Sequence, residues 1–227
     1  MEIKIKYDDR TLFDLDGTLI DSKPKIARDL DLTFKLLGTS ITEEEAYTSI
    51  DWVGLAAQYG HDKEKFWDAF KKARQERSWE NSLGAGEVKF YPDAQEVLEY
   101  MVGVKHPIGL VTRSAEAETG AKLDYFNLRK YFGELIGITP TDRKKAADKG
   151  VEALEVLAKM KPYSDSGVIR FVGDTEDDVN TANVLRRIIP NKNVKSVLVD
   201  RLGKPLTVNP DYIITRLGND LLKLYGD

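Results

Sequence analysis

Residues 11–19 of the chain read TLFDLDGTL, an apolar segment that runs directly into two carboxylates and a glycine. A short apolar run before a turn signal is typical of a buried strand, so we expect a strand over residues 11–14. Side chains two positions apart on a strand share one face, and Asp14 and Asp16 are therefore expected to point into one crevice. Gly17 permits a sharp turn of the backbone directly after them.

The chain after residue 90 alternates short apolar runs with longer amphipathic segments. The runs predict strands at residues 108–112, 134–138, 168–172, 194–199 and 212–214, and the segments predict helices at 93–102, 116–126, 151–160 and 176–188. This alternation indicates right-handed crossovers and an α/β fold with a doubly wound parallel sheet. Residues 2–7 alternate apolar with polar side chains, so we expect an extra edge strand there.

The region between residues 22 and 86 breaks this alternation. Apolar residues recur at helical spacing over residues 25–37 and 63–79, and GAG at 84–86 provides a flexible return. We therefore expect an all-helical cap domain over residues 21–87. It would be inserted into an α/β catalytic core formed by residues 1–20 and 88–227.

Composition excludes several classes of function. The 227 residues are 41% hydrophobic and 32% charged, which is typical of a soluble globular protein. The lack of cysteine excludes disulfides and a thiolate nucleophile, and two histidines make a His-rich metal site or a Ser-His-Asp triad hard to build. The net charge of −4 gives no case for a nucleic-acid partner. Without an apolar run long enough to span a membrane, or a signal peptide, we expect a cytoplasmic protein with no membrane partner.

The paired carboxylates suggest phosphoryl chemistry. Ligands of open α/β sheets bind at the carboxyl ends of strands, and a divalent cation relieves the repulsion between two close carboxylates. A carboxylate such as Asp14, held beside Mg²⁺ and a phosphate, can attack phosphorus to give an acyl phosphate that water later cleaves. The second carboxyl group, Asp16, can protonate the leaving oxygen and then activate that water. The alternative is an ordinary acidic turn after a strand.

A second acidic group follows the expected strand at residues 168–172. The segment GDTEDD at 173–178 places Asp174 and Asp178 four residues apart, at the entry to a helix. Carboxylate oxygens with no histidine or cysteine nearby suit Mg²⁺. Acids at a helix N-terminus also complement the helix dipole, and that alternative explains Asp174 less well than its neighbours.

Two further segments offer groups for a phosphate. Thr112 ends the expected strand at residues 108–112 and Arg113 follows it, at a point where a hydroxyl and backbone N–H groups can hold a phosphate or merely cap a helix. Lys149 lies at the start of the helix expected at residues 151–160 and offers a fixed positive charge for phosphoryl oxygens. Lys144 and Lys145 compete for this role, and a solvated surface lysine is the default for each of the three.

Together these motifs resemble the haloacid dehalogenase superfamily of hydrolases. The segment DLDGTL at residues 14–19 matches the first motif of that superfamily, and Thr112 matches the second. Lys149 matches the third motif in spacing, and Gly173-Asp174 with Asp178 matches the fourth. A helical insertion between the first two motifs is similar to the first cap class of the superfamily, whose catalytic core is Rossmann-like.

The resemblance implies a role for each matching residue. Asp14 would be the nucleophile and a Mg²⁺ ligand, and Asp16 would be the acid and base with its backbone carbonyl on the metal. Asp174 would complete the metal site, and Asp178 would bind the metal or support the site. Thr112 and Lys149 would hold the phosphate. Two positions depart from the family pattern: glycine follows Lys149 where proline is common, and Arg113 replaces a small amide, which places a charge near the substrate.

The implied activity is Mg²⁺-dependent hydrolysis of a small phosphorylated metabolite through an aspartyl-phosphate, by a monomer or homodimer. The segment TSIDWVGL at residues 48–55 is similar to the substrate loop of phosphoglycolate phosphatases, which makes phosphoglycolate a candidate substrate. The alternative places Trp52 and Val53 in the core of the cap. The expected substrate-selecting residues are Arg28, Lys35, Trp52 and Arg113.

Other activities use the same motifs. A phosphomutase of the β-phosphoglucomutase type would share the catalytic residues, and a catalytically inactive binding protein would share the fold. The inactive alternative predicts loss of Asp14, Asp16 or Asp174, and the chain retains all three. Dehalogenation is disfavoured because it needs no acid at the position of Asp16.

Overall fold

The structure, a computed structural model, describes residues 8–49, 51–139, 146–160, 167–203 and 205–225. The chain forms two compact units, one made of Met1–Ile20 with Phe90–Asp227 and the other of Asp21–Lys89. The expected edge strand at residues 2–7 and the competing lysines, Lys144 and Lys145, lie outside the described residues. No helix in the described ranges combines the length and apolar character needed to cross a bilayer.

The strands of the described residues are β1 (Arg10–Phe13), β2 (Ile20–Asp21), β3 (Lys89–Phe90), β4 (Ile108–Thr112), β5 (Ile136–Ile138), β6 (Val168–Gly173), β7 (Asn193–Val199) and β8 (Tyr212–Ile214). The helices are α1 (Lys23–Leu36), α2 (Glu43–Thr48), α3 (Trp52–Gln58), α4 (Lys63–Glu76), α5 (Trp79–Gly84), α6 (Pro92–Gly103), α7 (Glu116–Tyr125), α8 (Arg129–Phe132), α9 (Ala146–Lys159), α10 (Glu176–Ile188) and α11 (Gly218–Lys223).

The first unit contains a parallel six-stranded sheet in the order β5-β4-β1-β6-β7-β8. Strand β1 lies at its centre, and Phe13 is level with Leu110 of β4 on one side and Val172 of β6 on the other. The chain builds outward from β1 in both directions, which confirms the expected doubly wound α/β fold. The carboxyl end of β1 therefore lies between those of β4 and β6.

Helices α9 and α10 pack side by side against the sheet, over a core that includes Leu12, Val111 and Phe171. Helix α9 begins at Ala146, so the expected start at residue 151 was wrong. Gly150 lies inside this helix, where a β-carbon would come within 2.5 Å of Cγ1 of Val184 on α10. The glycine that suggested a helix boundary instead allows the two helices to approach closely.

The second unit is helical and has its own apolar core, centred on Phe34, Phe66 and Phe70. Helix α1 packs on α2 and α4, and α3 packs on α4. The single helix expected over residues 63–79 is in fact two, because α4 ends at Glu76 and α5 begins at Trp79. Ser78 starts the second of these helices by accepting a hydrogen bond from the backbone N–H of Asn81.

Candidate active site

The loop that follows β1 forms the centre of the candidate site. Asp14 is buried directly after the strand, and its backbone N–H donates to the carbonyl of Val172 on β6 at 2.9 Å. The chain then turns back at Gly17, whose φ is +83° and whose N–H donates to the carbonyl of Ile20 at 2.7 Å. A β-carbon at Gly17 would lie 2.1 Å from Oδ2 of Asp174, so only glycine lets this loop approach the end of β6.

Three of the expected metal ligands come together at this edge of the sheet. One carboxylate oxygen from each of Asp14, Asp174 and Asp178 lies within 4.8 Å of the others. Lys149 reaches into the cluster from α9: its Nζ donates to Oδ1 of Asp14 at 2.6 Å and to Oδ1 of Asp178 at 2.5 Å. The lysine side chain is only 3% exposed, so this is not a solvated surface charge.

The charges of the cluster oppose one another in a buried setting. Burial raises the pKa of the Asp14 carboxyl well above its usual range; Lys149 opposes this rise, whereas Asp178 and Asp174 add to it. Burial disfavours the charge on Lys149, but attraction to Asp14 and Asp178 outweighs it and raises the pKa of the ammonium. Lys149 therefore stays positive between the carboxylates of Asp14 and Asp178.

Asp178 has a structural task in addition to any role in catalysis. Its Oδ2 accepts hydrogen bonds from the backbone N–H and the hydroxyl of Thr175, at 3.0 and 2.7 Å, which closes a capping box at the start of α10. Its Oδ1 accepts from Lys149. A β-carbon on Gly173 would lie 2.1 Å from Cγ of Asp178, so this glycine makes room for the folded-back carboxylate. With both oxygens engaged, Asp178 is better suited to support the site than to bind a metal.

Asp16 does not join the acidic cluster but contacts two residues that the motifs did not identify. Both of its carboxylate oxygens lie 2.8 Å from Nζ of Lys122, and Oδ2 accepts from the hydroxyl of Ser114 at 2.5 Å. Lys122 belongs to α7 and its side chain is fully buried. It lies on the face of α7 that also buries Thr119 and Leu123. Lys122 is three residues after Thr119 and directly before Leu123. This helical spacing was the one signal in the sequence for its burial.

The two expected phosphate-binding residues on the β4 side lie at the same edge. Thr112 ends β4 and is buried, and its hydroxyl oxygen accepts from the backbone N–H of Ser114 at 3.1 Å. Arg113 is partly exposed and pairs with Asp177 at the start of α10, at 2.8 Å. Their roles toward a phosphate stay predictions.

The residues expected to select the substrate from the cap lie in the second unit. Trp52 packs on Phe70 with ring centroids 5.3 Å apart, and its indole N–H donates to the carbonyl of Ser49 at 3.1 Å. Arg28 forms an ion pair with Glu87, and Lys35 pairs with Asp31 one helical turn earlier at 2.6 Å. The contacts of Trp52 support the interpretation that its side chain belongs to the core of the helical unit.

The donor set of the site fits a hard divalent cation. Two oxygens bound to one Mg²⁺ lie at most about 4.2 Å apart, so the observed cluster needs only small side-chain movements to hold the ion. When ionised, the four carboxylates outnumber the two buried lysines by two charges, which one divalent ion balances. The six residues in this balance are Asp14, Asp16, Asp174, Asp178, Lys122 and Lys149.

Known proteins resemble this chain in sequence and in fold. The family model of haloacid dehalogenase-like hydrolases matches residues 11–186. Phosphoglycolate phosphatase of Aquifex aeolicus is 30% identical over 170 residues, which cover 74% of this chain and 76% of that protein. Phosphoglycolate phosphatase of Escherichia coli K12 is 25% identical over 239 residues, which cover 94% of this chain and 91% of that protein. A haloacid dehalogenase-like hydrolase from Streptococcus pneumoniae has the same fold, with a TM-score of 0.71 at 19% identity and coverage of 96% and 98%.

The chain belongs to the haloacid dehalogenase-like hydrolase family, because the family model matches more than three quarters of its residues. Within that family it is an enzyme of the phosphatase type and is similar to the phosphoglycolate phosphatases. The resemblance expected from the first and fourth motifs is thereby confirmed.

Proposed function

We propose that the protein is a Mg²⁺-dependent phosphatase that hydrolyses a small phosphate ester through an aspartyl-phosphate on Asp14. One observation carries the proposal: Asp14, Asp174 and Lys149 converge at the carboxyl edge of the sheet, with Asp16 two residues along the same loop. This arrangement combines a nucleophile, a cation site, a buried positive charge and a second carboxyl group. An ordinary acidic turn would not require a buried lysine between two carboxylates.

In the proposed reaction, Asp14, Asp174 and the backbone carbonyl of Asp16 would hold the cation, and Asp178 holds Lys149. Bound Mg²⁺ would offset the negative charge of the carboxylates and of the phosphoryl oxygens. Lys149 and Thr112 contact the phosphoryl group and fix it in line with the Asp14 carboxylate.

The chemistry takes two steps on the chain's own residues. An oxygen of Asp14 attacks phosphorus and the ester P–O bond breaks, while the Asp16 carboxyl gives its proton to the leaving oxygen. Water then attacks the phosphorus of the acyl phosphate and gives a proton back to Asp16. The bond between phosphorus and Asp14 breaks, which releases inorganic phosphate and restores both carboxyl groups.

Phosphoglycolate is the first substrate to test, because relatives that cover most of this chain are phosphoglycolate phosphatases. We also propose that residues 21–87 act as a cap domain that admits small esters and excludes macromolecules. Comparable turnover of phosphoproteins and small esters would contradict the proposed role of the cap.

The test measures inorganic phosphate released from para-nitrophenyl phosphate and from phosphoglycolate, with Mg²⁺ and with excess chelator. We expect release that needs the metal and that Asp14→Asn abolishes. Asp124→Asn is the matched control, because Asp124 is an exposed carboxylate in the same unit and its side chain pairs with Arg129 at the surface. It should keep the wild-type rate.

Three outcomes would overturn parts of the proposal. Unchanged release in chelator would contradict the metal site. Consumption of a sugar phosphate without release of phosphate would favour a phosphomutase. No turnover of any ester in a broad panel would favour an inactive binding protein.

A further inference from the structure

Lys122 occupies an unusual position for a lysine. Its side chain is fully buried, and it projects from the buried face of α7, which also includes Thr119 and Leu123. Burying an ammonium is costly, and an apolar side chain of similar length would pack there without that cost. A reason other than stability is therefore needed for a charge at this position.

The contacts of Lys122 point to that reason. Its Nζ is 2.8 Å from each carboxylate oxygen of Asp16 and 3.3 Å from the hydroxyl of Ser114, which itself donates to Asp16. Three groups thus meet in one small network. Lys122 and Ser114 both belong to the connection after β4, the strand whose end supplies Thr112.

The site contains two separate lysine–carboxylate networks. Lys149 contacts Asp14 and Asp178, on the side of the proposed nucleophile and cation. Lys122 contacts Asp16, which lies two residues further along the same loop as Asp14. The carboxylate side chain of Asp16 is 21% exposed, so it faces solvent as well as the lysine. It is thus held at the edge of the site, where a leaving group would depart.

We propose that Lys122, together with Ser114, is a positioning residue that holds the Asp16 carboxyl group in line with the leaving oxygen of the substrate. This inference rests on the proposed function and adds a determinant of leaving-group preference to it. Esters with poor leaving groups need the proton from Asp16 as the P–O bond breaks, whereas aryl esters with acidic leaving groups need it little. Loss of Lys122 should therefore harm the first kind of ester selectively.

The experiment compares kcat/KM for glycerol phosphate with kcat/KM for para-nitrophenyl phosphate, since this parameter reports the step in which the leaving group departs. General acid catalysis contributes on the order of 10²- to 10⁴-fold, so Lys122→Met is expected to lower the glycerol phosphate value by about 100-fold. The value for the aryl ester should fall much less. Lys122→Arg keeps a hydrogen-bond donor to the Asp16 carboxylate. Its ratio of kcat/KM for glycerol phosphate to kcat/KM for para-nitrophenyl phosphate should therefore be nearer to that of the wild type.

A second readout follows the other half of the reaction. Because Asp16 also accepts the proton of the attacking water, Lys122→Met should raise the fraction of acid-quenched enzyme that carries a phosphoryl group, as measured by intact mass during turnover of para-nitrophenyl phosphate, the ester whose first step needs the Asp16 proton least. A residue that acted only on stability would lower both ester rates in proportion and leave this fraction unchanged.

Two controls keep the interpretation unambiguous. If Lys122→Met does not fold, Ser114→Ala removes the shorter contact to Asp16 and should shift the ratio in the same direction. An equal loss on both esters in the folded variants would overturn the positioning role while leaving the proposed function intact. Absence of any hydrolysis by the wild type, or full activity of Asp14→Asn, would instead overturn the proposed function itself.

Discussion

Replacing Gly17 with alanine is expected to weaken Mg²⁺ binding because the new methyl group would collide with Asp174. The β-carbon would lie 2.1 Å from Oδ2 and 2.4 Å from Cγ of Asp174, whereas real β-carbons essentially never come within 3.0 Å of a heavy atom outside their own residue and its chain neighbours. The carboxylate or the loop must therefore move by roughly 1 Å, and metal–ligand distances tolerate only about 0.2 Å. We expect the affinity for Mg²⁺ to fall about 10- to 100-fold, as for other disturbances next to metal ligands.

Alanine at Gly17 also has a backbone cost, which a matched variant isolates. Gly38 has φ +79°, close to the +83° of Gly17, but nothing lies within 4 Å of its β-carbon position. The free energy of unfolding of Gly38→Ala should therefore be lower than that of the wild type by only the roughly 1–2 kcal/mol that a left-handed conformation costs. Gly17→Ala should lose at least as much, and it alone should impair the metal site.

The assay is urea unfolding of the three proteins with and without Mg²⁺. At a Mg²⁺ concentration about 100 times the wild-type Kd, the ion should raise the free energy of unfolding of the wild type and Gly38→Ala by about 2.7 kcal/mol. The same concentration should raise that of Gly17→Ala by about 1.4 kcal/mol or less. An equal increase in all three proteins would refute the claim that Asp174 binds the ion.

Three further predictions concern the side chains of His106, Lys149 and Trp52. Burial lowers the pKa of His106 from 6.5 to about 4, so the protein should lose stability as the pH falls from about 6.5 towards 4. Between neutral pH and about pH 4.5, the free energy of unfolding of His106→Gln should fall by about 2.5 kcal/mol less than that of the wild type, as measured by urea unfolding at both pH values. An equal fall in both proteins would contradict this prediction. Lys149→Met should lower the free energy of unfolding of the Mg²⁺-free protein by about 3 kcal/mol, because it leaves the buried carboxylates of Asp14 and Asp178 without their positive partner. Urea unfolding measures this loss, and a variant as stable as the wild type would contradict the buried ion pairs. Trp52→Phe removes the hydrogen bond from the indole N–H to the carbonyl of Ser49, so it should lower the free energy of unfolding by about 1 kcal/mol and leave KM unchanged. A raised KM with unchanged stability would instead favour a role of Trp52 in substrate selection.

The central sheet was the part of the fold that the sequence predicted best. Strands β4 and β8 and helix α10 begin and end where the residue patterns indicated. Strand β4 is buried along its whole length, so it contains almost only apolar residues. Helix α10 has an apolar face and a capping box that starts at Thr175, and these local signals fix its ends.

The errors in the fold have local physical causes. Gly150 suggested a boundary because glycine disfavours helices, but here the missing side chain allows α9 to pack on α10. The short helices α2 and α3 were not predicted because they offer little apolar periodicity. Their start signals were present: Thr42 forms a capping box, and the Asp51 side chain accepts from the N–H of Gly54.

The candidate site was predictable where motifs are contiguous and was missed where the contacts are long-range. Asp14 and Asp174 come from strand ends that the topology makes neighbours, so their proximity follows from the fold. The contact of Lys122 with Asp16 joins residues 106 positions apart. A lysine in an amphipathic helix is usually solvated, and only the packing of α7 reveals that this one is buried.

The most direct test of the account is to trap the covalent intermediate. Wild-type enzyme would be mixed with Mg²⁺ and excess ester, quenched during turnover, and treated with borohydride, which reduces an aspartyl-phosphate to homoserine. We expect peptide mass spectrometry to find the conversion at Asp14, and to find none in Asp14→Asn or when the ester is omitted. Steady release of phosphate with no modification at Asp14, or with modification at another carboxylate, would contradict the account.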